Sequence, residues 1–568
     1  MHIDVVPNRN SKPAILLRES YRDGKTVRKR TLANLSALPM EQVQAIRRIL
    51  KGEKMAPVEE LFEVLDSPHH GHVHAVLTAM KRLGFAKLLA SRRSRERDLI
   101  MAMVAARILE PKSKLATTDW WSTTTLPEIL EVEDADEDDL YQAMDWLLVR
   151  QARIERKLAD RHLEAGGLVL YDLSSSYFEG TTCPLAARGY SRDGKKGTLQ
   201  VNYGLLTDRQ GRPVSVSVLP GNTGDPKTLL PQLKKVREEF GIEQLVLVGD
   251  RGMITQKQID ALSLVEGVDW ITALRTEAIR KLARGGQLQM GLFDERDLFE
   301  LTHPDYPDER LVACRNPELA RLRANKRKDL IACTTRELEK VRGMVERGRL
   351  RGQDEIGVRV GKVINKYKVA KLFQLEIRDD GFDFELHDER VDAEAALDGI
   401  YVVRTSVPRK RMDTDDAVRN YKQLSQVERA FRSMKTMDLA VRPIHHRLEG
   451  RVRAHIFLCM LAYYVQWHIT EAWRSLLFFD EDQAAKTTRD PVAPAKRSEA
   501  ARLKALTKHR EDGTRVTSFR VLLARLGKIV RNRCRRPGAE PDEPVFTVET
   551  TPSPEQQEAY KLLDEISV

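Results

Sequence analysis

The chain has 568 residues, of which 41% are hydrophobic and 32% are charged, a balance typical of a soluble globular protein and not of a disordered one. At roughly 100–200 residues per domain, this length predicts three or four domains. The formal net charge of +11 favours a polyanionic partner such as nucleic acid, although charge alone fits a basic protein without such a partner equally well.

The first 38 residues predict a β-hairpin module, and the following segment predicts helices. Two strand-like runs flank Asp23 and Gly24, a pair that is common in tight hairpin turns. From 39 to 165 the apolar residues recur at helical spacing, as they do over 74–90. This second segment is therefore expected to be a helical region.

The segment 166–275 predicts an α/β fold. Two short aliphatic runs read as buried strands, and each ends in a carboxylate, Asp172 in the first run and Asp250 in the second. Further strand-like and helix-like runs lie between and after them in the order β-β-β-α-β-α-β. This order predicts a mixed sheet with helices packed on it.

The next segment, 276–396, interrupts this pattern. It is dense in charged residues and contains several β-like stretches, among them 357–367, which together predict a β-rich insertion. The core is expected to resume at 397 with a strand, followed by a helix capped by Thr414-Asp415-Asp416. The apolar stretch 456–465 is too short to span a bilayer and predicts a buried helix.

These patterns divide the chain into six segments. In order they are the hairpin module, the helical region, the first part of the core, the insertion, the second part of the core, and a basic helical C-terminal region with an acidic tail. The predicted boundaries are 1–38, 39–165, 166–275, 276–396, 397–475 and 476–568.

The cysteines and the N-terminus predict a cytoplasmic location. The five cysteines are scattered, without a paired spacing or a histidine pattern that would complete a zinc site. Such a set is typical of free thiols in a reducing compartment. The first 12 residues lack the apolar core of a signal peptide.

Three carboxylates on predicted rigid elements form the candidate reaction centre. Asp172 and Asp250 follow strands, and Glu428 lies on a predicted helix. Such a set can hold two Mg²⁺ or Mn²⁺ ions roughly 3.5–4 Å apart, one activating a water or a 3′-hydroxyl and the other stabilising the leaving oxygen. Because a single strand-end aspartate is more often a loop residue or a helix cap, the prediction depends on the three together.

The helix around Glu428 strengthens this hypothesis. Residues spaced three and four apart fall on one helical stripe: Tyr421, Leu424, Glu428, Phe431 and Lys435. Charges on such a stripe need partners, and a metal for Glu428 with a phosphate for Lys435 and Arg432 would supply them. A solvent-exposed stripe at a domain edge is the alternative.

Two other groups of residues are candidates for DNA contacts. Tyr190, Arg192 and Lys195 lie in a glycine-flanked loop after Asp172, where a DNA contact and a solvated turn are equal alternatives. The pair His445-His446 favours a DNA contact or a loop-shaping role over metal binding.

At these residues the chain resembles the DDE transposases of bacterial insertion sequences, in the group with the signature Y-x2-R-x3-E-x6-K around the third carboxylate. The signature positions are Tyr421, Leu424, Glu428 and Lys435, and Leu424 stands where the family has arginine. Other family-like segments occur in the expected order: 171–180, 187–195, 204–229, 246–253 and 442–465. The resemblance covers roughly 165–275 and 400–475.

The resemblance implies a ribonuclease H-like α/β core whose mixed sheet is interrupted by a β-rich insertion. It also implies that Asp172, Asp250 and Glu428 bind two Mg²⁺ or Mn²⁺ ions. With these ions the enzyme is expected to nick the terminal inverted repeats and to transfer the 3′-hydroxyl to target DNA. DNA contacts are expected from Tyr421, Arg432 and Lys435 and from the 187–195 loop, within a homodimer. A ribonuclease H-like nuclease without strand transfer and a decayed transposase acting as a repressor are the alternatives.

Overall fold

The computed structural model describes residues 1–9, 11–53, 61–288, 293, 296–540 and 545–567. Part of the predicted insertion and part of the acidic tail, 289–292, 294–295 and 541–544, lie outside the described residues. The chain divides into two compact units, one formed by Met1–Ser67 with Arg531–Thr550 and the other by Pro68–Val530 with Thr551–Val568.

The strands are β1 (His2–Val6), β2 (Ala14–Asp23), β3 (Thr26–Asn34), β4 (Glu63–Asp66), β5 (Leu168–Tyr177), β6 (Gln200–Thr207), β7 (Pro213–Pro220), β8 (Leu245–Val248), β9 (Val268–Ala273), β10 (Leu298–Leu301), β11 (Arg310–Arg315), β12 (Phe373–Ile377), β13 (Phe382–Leu386), β14 (Ile400–Thr405), β15 (Arg531–Arg535) and β16 (Phe546–Glu549).

The helices are α1 (Met40–Leu50), α2 (Gly71–Arg82), α3 (Phe85–Leu89), α4 (Arg95–Leu109), α5 (Lys114–Trp121), α6 (Leu126–Leu130), α7 (Glu137–Val149), α8 (Gln151–His162), α9 (Pro226–Lys234), α10 (Gln256–Leu262), α11 (Thr276–Arg284), α12 (Pro317–Glu346), α13 (Gln353–Tyr367), α14 (Asp388–Ala395), α15 (Thr414–Lys422), α16 (Leu424–Arg432), α17 (Glu449–Ala472), α18 (Ala484–Thr488), α19 (Glu499–Thr507), α20 (Phe519–Leu526) and α21 (Pro554–Asp564).

The smaller unit contains two antiparallel three-stranded sheets, β1-β2-β3 and β16-β15-β4. In the first sheet, Asp23 pairs with Thr26 across the turn that contains Gly24, whose φ of 62° suits glycine. The predicted N-terminal hairpin is therefore confirmed.

The larger unit is built on an eight-stranded mixed sheet in the order β10-β11-β14-β9-β8-β5-β6-β7. Strands β5, β6 and β7 are antiparallel neighbours along the chain, and β8 and β9 follow on the other side of β5, parallel to it and to each other. This five-stranded part has the ribonuclease H-like arrangement, which confirms the predicted fold class. The other three strands extend it beyond β9.

The long helix α17 forms the centre of the larger unit. It packs against α4, α7 and the strand β7, and nearly every residue from Val452 to Ile469 is buried. The prediction of a buried helix over 456–465 is confirmed. In the part of the chain that the structure describes, every helix is too short or too polar to cross a bilayer.

The segment 276–396 contains long helices as well as strands. The β-like stretch 357–367 lies in the helix α13, so its prediction as a strand is wrong. Val360, Val363 and Ile364 follow a helical spacing and pack in one core with α12, and this tertiary contact outweighs their preference for strands. Residues 373–377 and 382–386 pair as the antiparallel strands β12 and β13, but the described part of the segment is mainly helical and not β-rich as predicted.

Two other local predictions need correction. The strand with the first carboxylate does not end at Asp172, because β5 continues to Tyr177 and stays paired with β6 over its whole second half. The helix after residue 413 is capped by the side chain of Asp413, which accepts from the backbone N–H of Asp416, and it is broken at Gln423 between α15 and α16.

Candidate active site

Asp172 and Asp250 come level with each other through the parallel pairing of β5 and β8. Leu170 is paired with Val248, and each aspartate lies two residues further along its strand direction. Because parallel strands rise equally per residue and lie about 4.8 Å apart, the two aspartates reach the same edge of the sheet. Asp172 is held there in mid-strand by β6, and Asp250 follows the end of β8.

Backbone hydrogen bonds fix one oxygen of each aspartate. Oδ1 of Asp172 accepts from the N–H of Leu173 at 2.8 Å. Oδ1 of Asp250 accepts from the N–H groups of Gly252 at 2.9 Å and Met253 at 2.8 Å, in the turn that follows β8. Among the described residues, Oδ2 of neither aspartate receives a hydrogen bond, so each has an oxygen available for a cation.

Glu428 is presented by α16, which packs on β5. The buried face of α16 carries Val427, Ala430 and Phe431, and the ring of Phe431 meets that of Tyr203 at 5.7 Å. Glu428 itself is exposed at the side of this contact. The packing of α16 on the strand of the first aspartate therefore brings the third carboxylate to the same region.

The pKa of Asp172 is shifted by its burial and by the other two carboxylates. Its pKa is raised to about 7, chiefly by burial and also by the charges of Asp250 and Glu428, while the Leu173 N–H and Arg192 act in the opposite direction. The pKa of Tyr421 is raised to about 12, chiefly by burial and then by Asp250. Tyr421 therefore keeps its phenolic proton at neutral pH and can donate a hydrogen bond.

Among the described residues, the three carboxylates are not close enough together to form a complete metal-binding site. Among the residues that the structure describes, no three His, Cys, Asp or Glu side chains stand close enough to hold an ion. The donor set nevertheless suits a hard divalent cation, because it consists of carboxylate oxygens and lies where like charges already repel.

The loop between β5 and β6 contains a residue that sequence reasoning missed, Asp193. Its side chain is 1% exposed, and its Oδ1 lies 3.0 Å from Nζ of Lys435 and 2.5 Å from Nη1 of Arg442. Its Oδ2 accepts from the N–H of Tyr177 at 2.9 Å. We call Asp193, Lys435 and Arg442 the Asp193 cluster. The separations of 242 and 249 residues explain why no local pattern revealed it.

The predicted DNA-contacting residues of this loop differ in their surroundings. Tyr190 is 80% exposed, whereas Arg192 is largely buried and forms an ion pair with Asp225. The backbone N–H of Arg192 also donates to Oγ of Ser175 at 3.0 Å. Lys195 is exposed, with its Nζ 3.5 Å from the ring centre of Tyr177.

The remaining signature positions lie around the break between α15 and α16. Leu424, which stands at the arginine position of the signature, begins α16 and packs against the hydrophobic core. Arg432 ends α16 and is exposed. A π-helical turn over Ser433–Met437 follows and carries Lys435 into the Asp193 cluster. Residues 421 to 435 therefore do not lie on one continuous α-helix as predicted, because the α-helix is broken before and after α16.

Comparisons with known proteins identify the family of this chain. Residues 168–465, more than half of the chain, match the family of transposase DDE domains. The chain belongs to this family. Residues 3–59 match the N-terminal domain of IS1634 family transposases, so the protein is a DNA transposase of a bacterial insertion sequence and a metal-dependent enzyme that acts on DNA. The prediction of a bacterial insertion-sequence DDE transposase is confirmed, and so is the general function of a DNA transposase.

Two further comparisons complete the result. The search of curated proteins gives no match to this transposase. Among solved structures the chain is similar to the cryo-EM structure of the piggyBac transposase synaptic complex with hairpin DNA, at 9% identity and a TM-score of 0.34. The similarity covers 70% of this chain and 72% of that chain, and at this level it assigns no residue of the present transposase.

Proposed function

We propose that Asp172, Asp250 and Glu428 are the catalytic carboxylates of this transposase, which nicks the ends of its element and joins the 3′-hydroxyl to target DNA. The observation that carries this proposal is the parallel register that brings Asp172 and Asp250 level beside α16. The raised pKa of Asp172, caused chiefly by burial and also by the charges of Asp250 and Glu428, supports it, since strongly shifted carboxylates are typical of functional sites.

The three carboxylates would hold two Mg²⁺ or Mn²⁺ ions. When bound, such ions lower the pKa of an attacking water or hydroxyl and neutralise charge that develops at phosphorus. The protein's part is to hold its oxygens ready: the turn after Asp250 and the pairing of β5 with β6 fix the two aspartates before a ligand arrives. Glu428, exposed on α16, would supply the third carboxylate.

The surrounding cations would position the DNA backbone. The Asp193 cluster has two cations for one carboxylate, so one positive charge remains for a phosphate contacted by Lys435. Arg432 and Lys195 are exposed, and Arg192 is near enough to Asp172 to influence its pKa. We assign DNA contacts to these residues and to Tyr190 and Tyr421.

The same proposal extends to the rest of the chain. We infer that the helical region 39–165 contributes to recognition of the terminal inverted repeats and that the protein acts as a homodimer on paired ends. Its site of action would be the nucleoid in the bacterial cytoplasm. Gel filtration with multi-angle light scattering, with and without end DNA, tests the dimer directly.

A cleavage and joining assay tests the catalytic assignment. Purified protein is incubated with its element's terminal DNA and a target plasmid, with Mg²⁺ or with EDTA. Wild type is expected to give metal-dependent joined products. Asp250→Asn should abolish cleavage while end binding persists, because the amide keeps the turn geometry and loses the charge.

The control is Asp354→Asn, which removes an exposed carboxylate of α13 and should retain full activity. Unchanged cleavage by Asp250→Asn would refute the triad. Cleavage by wild type without joining would indicate a nuclease, and end binding without chemistry would indicate a repressor.

A further inference from the structure

A cavity of about 570 Å³ lies in the larger unit, and none of the three catalytic carboxylates lines it. Its wall is formed by α4, α5, α7, the loop before α17 and the first turn of α17. The lining is strongly cationic, with Arg107, Lys114, Arg442, Arg447 and Arg451 among its residues. We call it the basic cavity.

Two of these cations are buried without a counter-ion. Lys114 is 5% exposed and Arg107 is 7% exposed. Within the described part of the chain, neither side chain forms an ion pair or a hydrogen bond. Burial, and then the nearby charge of Arg107, lower the pKa of Lys114 to about 7. A buried, unpaired cation is unfavourable, so these two side chains favour an anionic ligand in this cavity.

The first turn of α17 adds further donors. Nε of Arg451 is buried and has no hydrogen-bond partner among the described residues, and its guanidinium lies 4.2 Å from the ring centre of Tyr141. The N-cap residue Leu448 gives this 24-residue helix no side-chain cap, so its first N–H groups are not satisfied in that way. Glu137 is the one carboxylate among the described lining residues.

We propose that the basic cavity binds a phosphate group, at a site separate from the catalytic carboxylates. A phosphate oxygen is the acceptor that suits two buried cations, a guanidinium and helix N–H groups together. The cavity is linked to the active-site region by Arg442, which lines the cavity and forms an ion pair with Asp193 at 2.5 Å.

Two sources offer this chemistry, a phosphodiester of bound DNA and a free phosphate or pyrophosphate. The DNA source rests on the proposed function, because it places a strand of end DNA across the Asp193 cluster and onto the cavity. Both sources are tested without divalent metal, so a failure of the catalytic assignment would leave these results unaffected.

The first measurement is thermal unfolding in EDTA, with pyrophosphate or with KCl at equal ionic strength. Wild type should gain roughly 2–4 °C with pyrophosphate, and Lys114→Met should lose most of that gain. Without pyrophosphate, Lys114→Met should be at least as stable as wild type, because it removes an unpaired buried charge. The matched control is Lys328→Met, which removes an exposed cation of α12.

The second measurement is fluorescence anisotropy of a terminal-repeat duplex in EDTA. If DNA supplies the phosphate, Lys114→Met weakens binding roughly tenfold and pyrophosphate competes with the duplex, while Lys328→Met changes affinity far less. If free phosphate is the ligand, the pyrophosphate gain disappears in Lys114→Met and duplex affinity does not change. Arg451 is partly exposed, and Arg451→Gln should show the same loss as Lys114→Met, either of duplex affinity or of the pyrophosphate-dependent gain in melting temperature. Both responses unchanged in both variants would overturn the proposal.

Discussion

At the scale of single residues, the surroundings of Asp172 disfavour the charged form of its carboxyl group. Its pKa is raised from 3.8 to about 7 because burial disfavours the carboxylate and two other carboxylates lie near it. Between these two pH values the folded state binds more protons than the unfolded state. The contribution of Asp172 to stability is therefore most favourable below about pH 4 and is lost as the pH rises through 7.

Replacing Asp172 by Asn should therefore stabilise the metal-free protein at alkaline pH. In EDTA at pH 8 we expect the free energy of unfolding to rise by about 1–3 kcal/mol, and the difference from wild type should shrink toward pH 4. Urea unfolding at both pH values measures it. Asp145→Asn serves as the control with no pH-dependent difference, and an Asp172→Asn protein less stable than wild type at pH 8 would contradict the argument.

Asp193 presents the opposite case, a buried carboxylate whose partners depend on it. Asp193→Asn would leave Lys435 and Arg442 without a counter-charge in a buried site. We expect a loss of about 2–4 kcal/mol in the free energy of unfolding, together with impaired cleavage. Urea unfolding compared with the exposed Asp119→Asn measures the loss. A change below about 0.5 kcal/mol would show that the cluster does not stabilise the fold.

At the scale of elements, the position of Asp172 depends on how closely β5 and β6 approach. Gly204 on β6 faces the buried side chain of Tyr171, the residue next to Asp172. A Cβ at position 204 would lie 2.1 Å from the Tyr171 hydroxyl and 2.7 Å from its ring carbons. Such distances cannot be accommodated without moving the ring or the strand.

Gly204→Ala should accordingly destabilise the protein by about 1–3 kcal/mol and lower cleavage activity. The melting temperature and the cleavage rate are the measurements. Gly357→Ala is the control, because a Cβ there meets no atom within 4 Å on α13, and it should hold or raise stability by up to about 1 kcal/mol. The argument fails if both variants behave alike.

At the scale of the whole molecule, the net charge of +11 predicts salt-sensitive DNA binding. If the bound ends neutralise about 6–10 cations, affinity should fall roughly 10³–10⁵-fold between 50 and 200 mM KCl. A salt titration of duplex affinity in EDTA measures the slope, with sucrose at equal osmolality as the control. A flat response would exclude the phosphate contacts assigned to Lys195, Arg432 and Lys435.

The succession of core strands and helices along the chain could be predicted from the sequence, which also singles out Asp172 and Asp250 as candidate site residues. Aliphatic runs before Asp172 and Asp250 indicate buried strands by local composition, and the signature around Glu428 lies within one short segment. The N-terminal hairpin was predictable for the same reason, because the turn residues Asp23 and Gly24 lie between its strands. Local chemistry determines these features.

The length of the first core strand, the helix at 357–367 and the long-range charge contacts depend on the tertiary structure alone. Pairing with β6 extends the first strand five residues past Asp172, and packing on α12 makes a helix of the β-branched stretch 357–367. The ion pairs of Lys435 and Arg442 with Asp193, and the meeting of Lys114 with α17 at the basic cavity, join residues more than 200 positions apart. Sequence periodicity records which face of an element is apolar, but partners across such distances are chosen by packing and by the high free energy of a buried, unpaired charge.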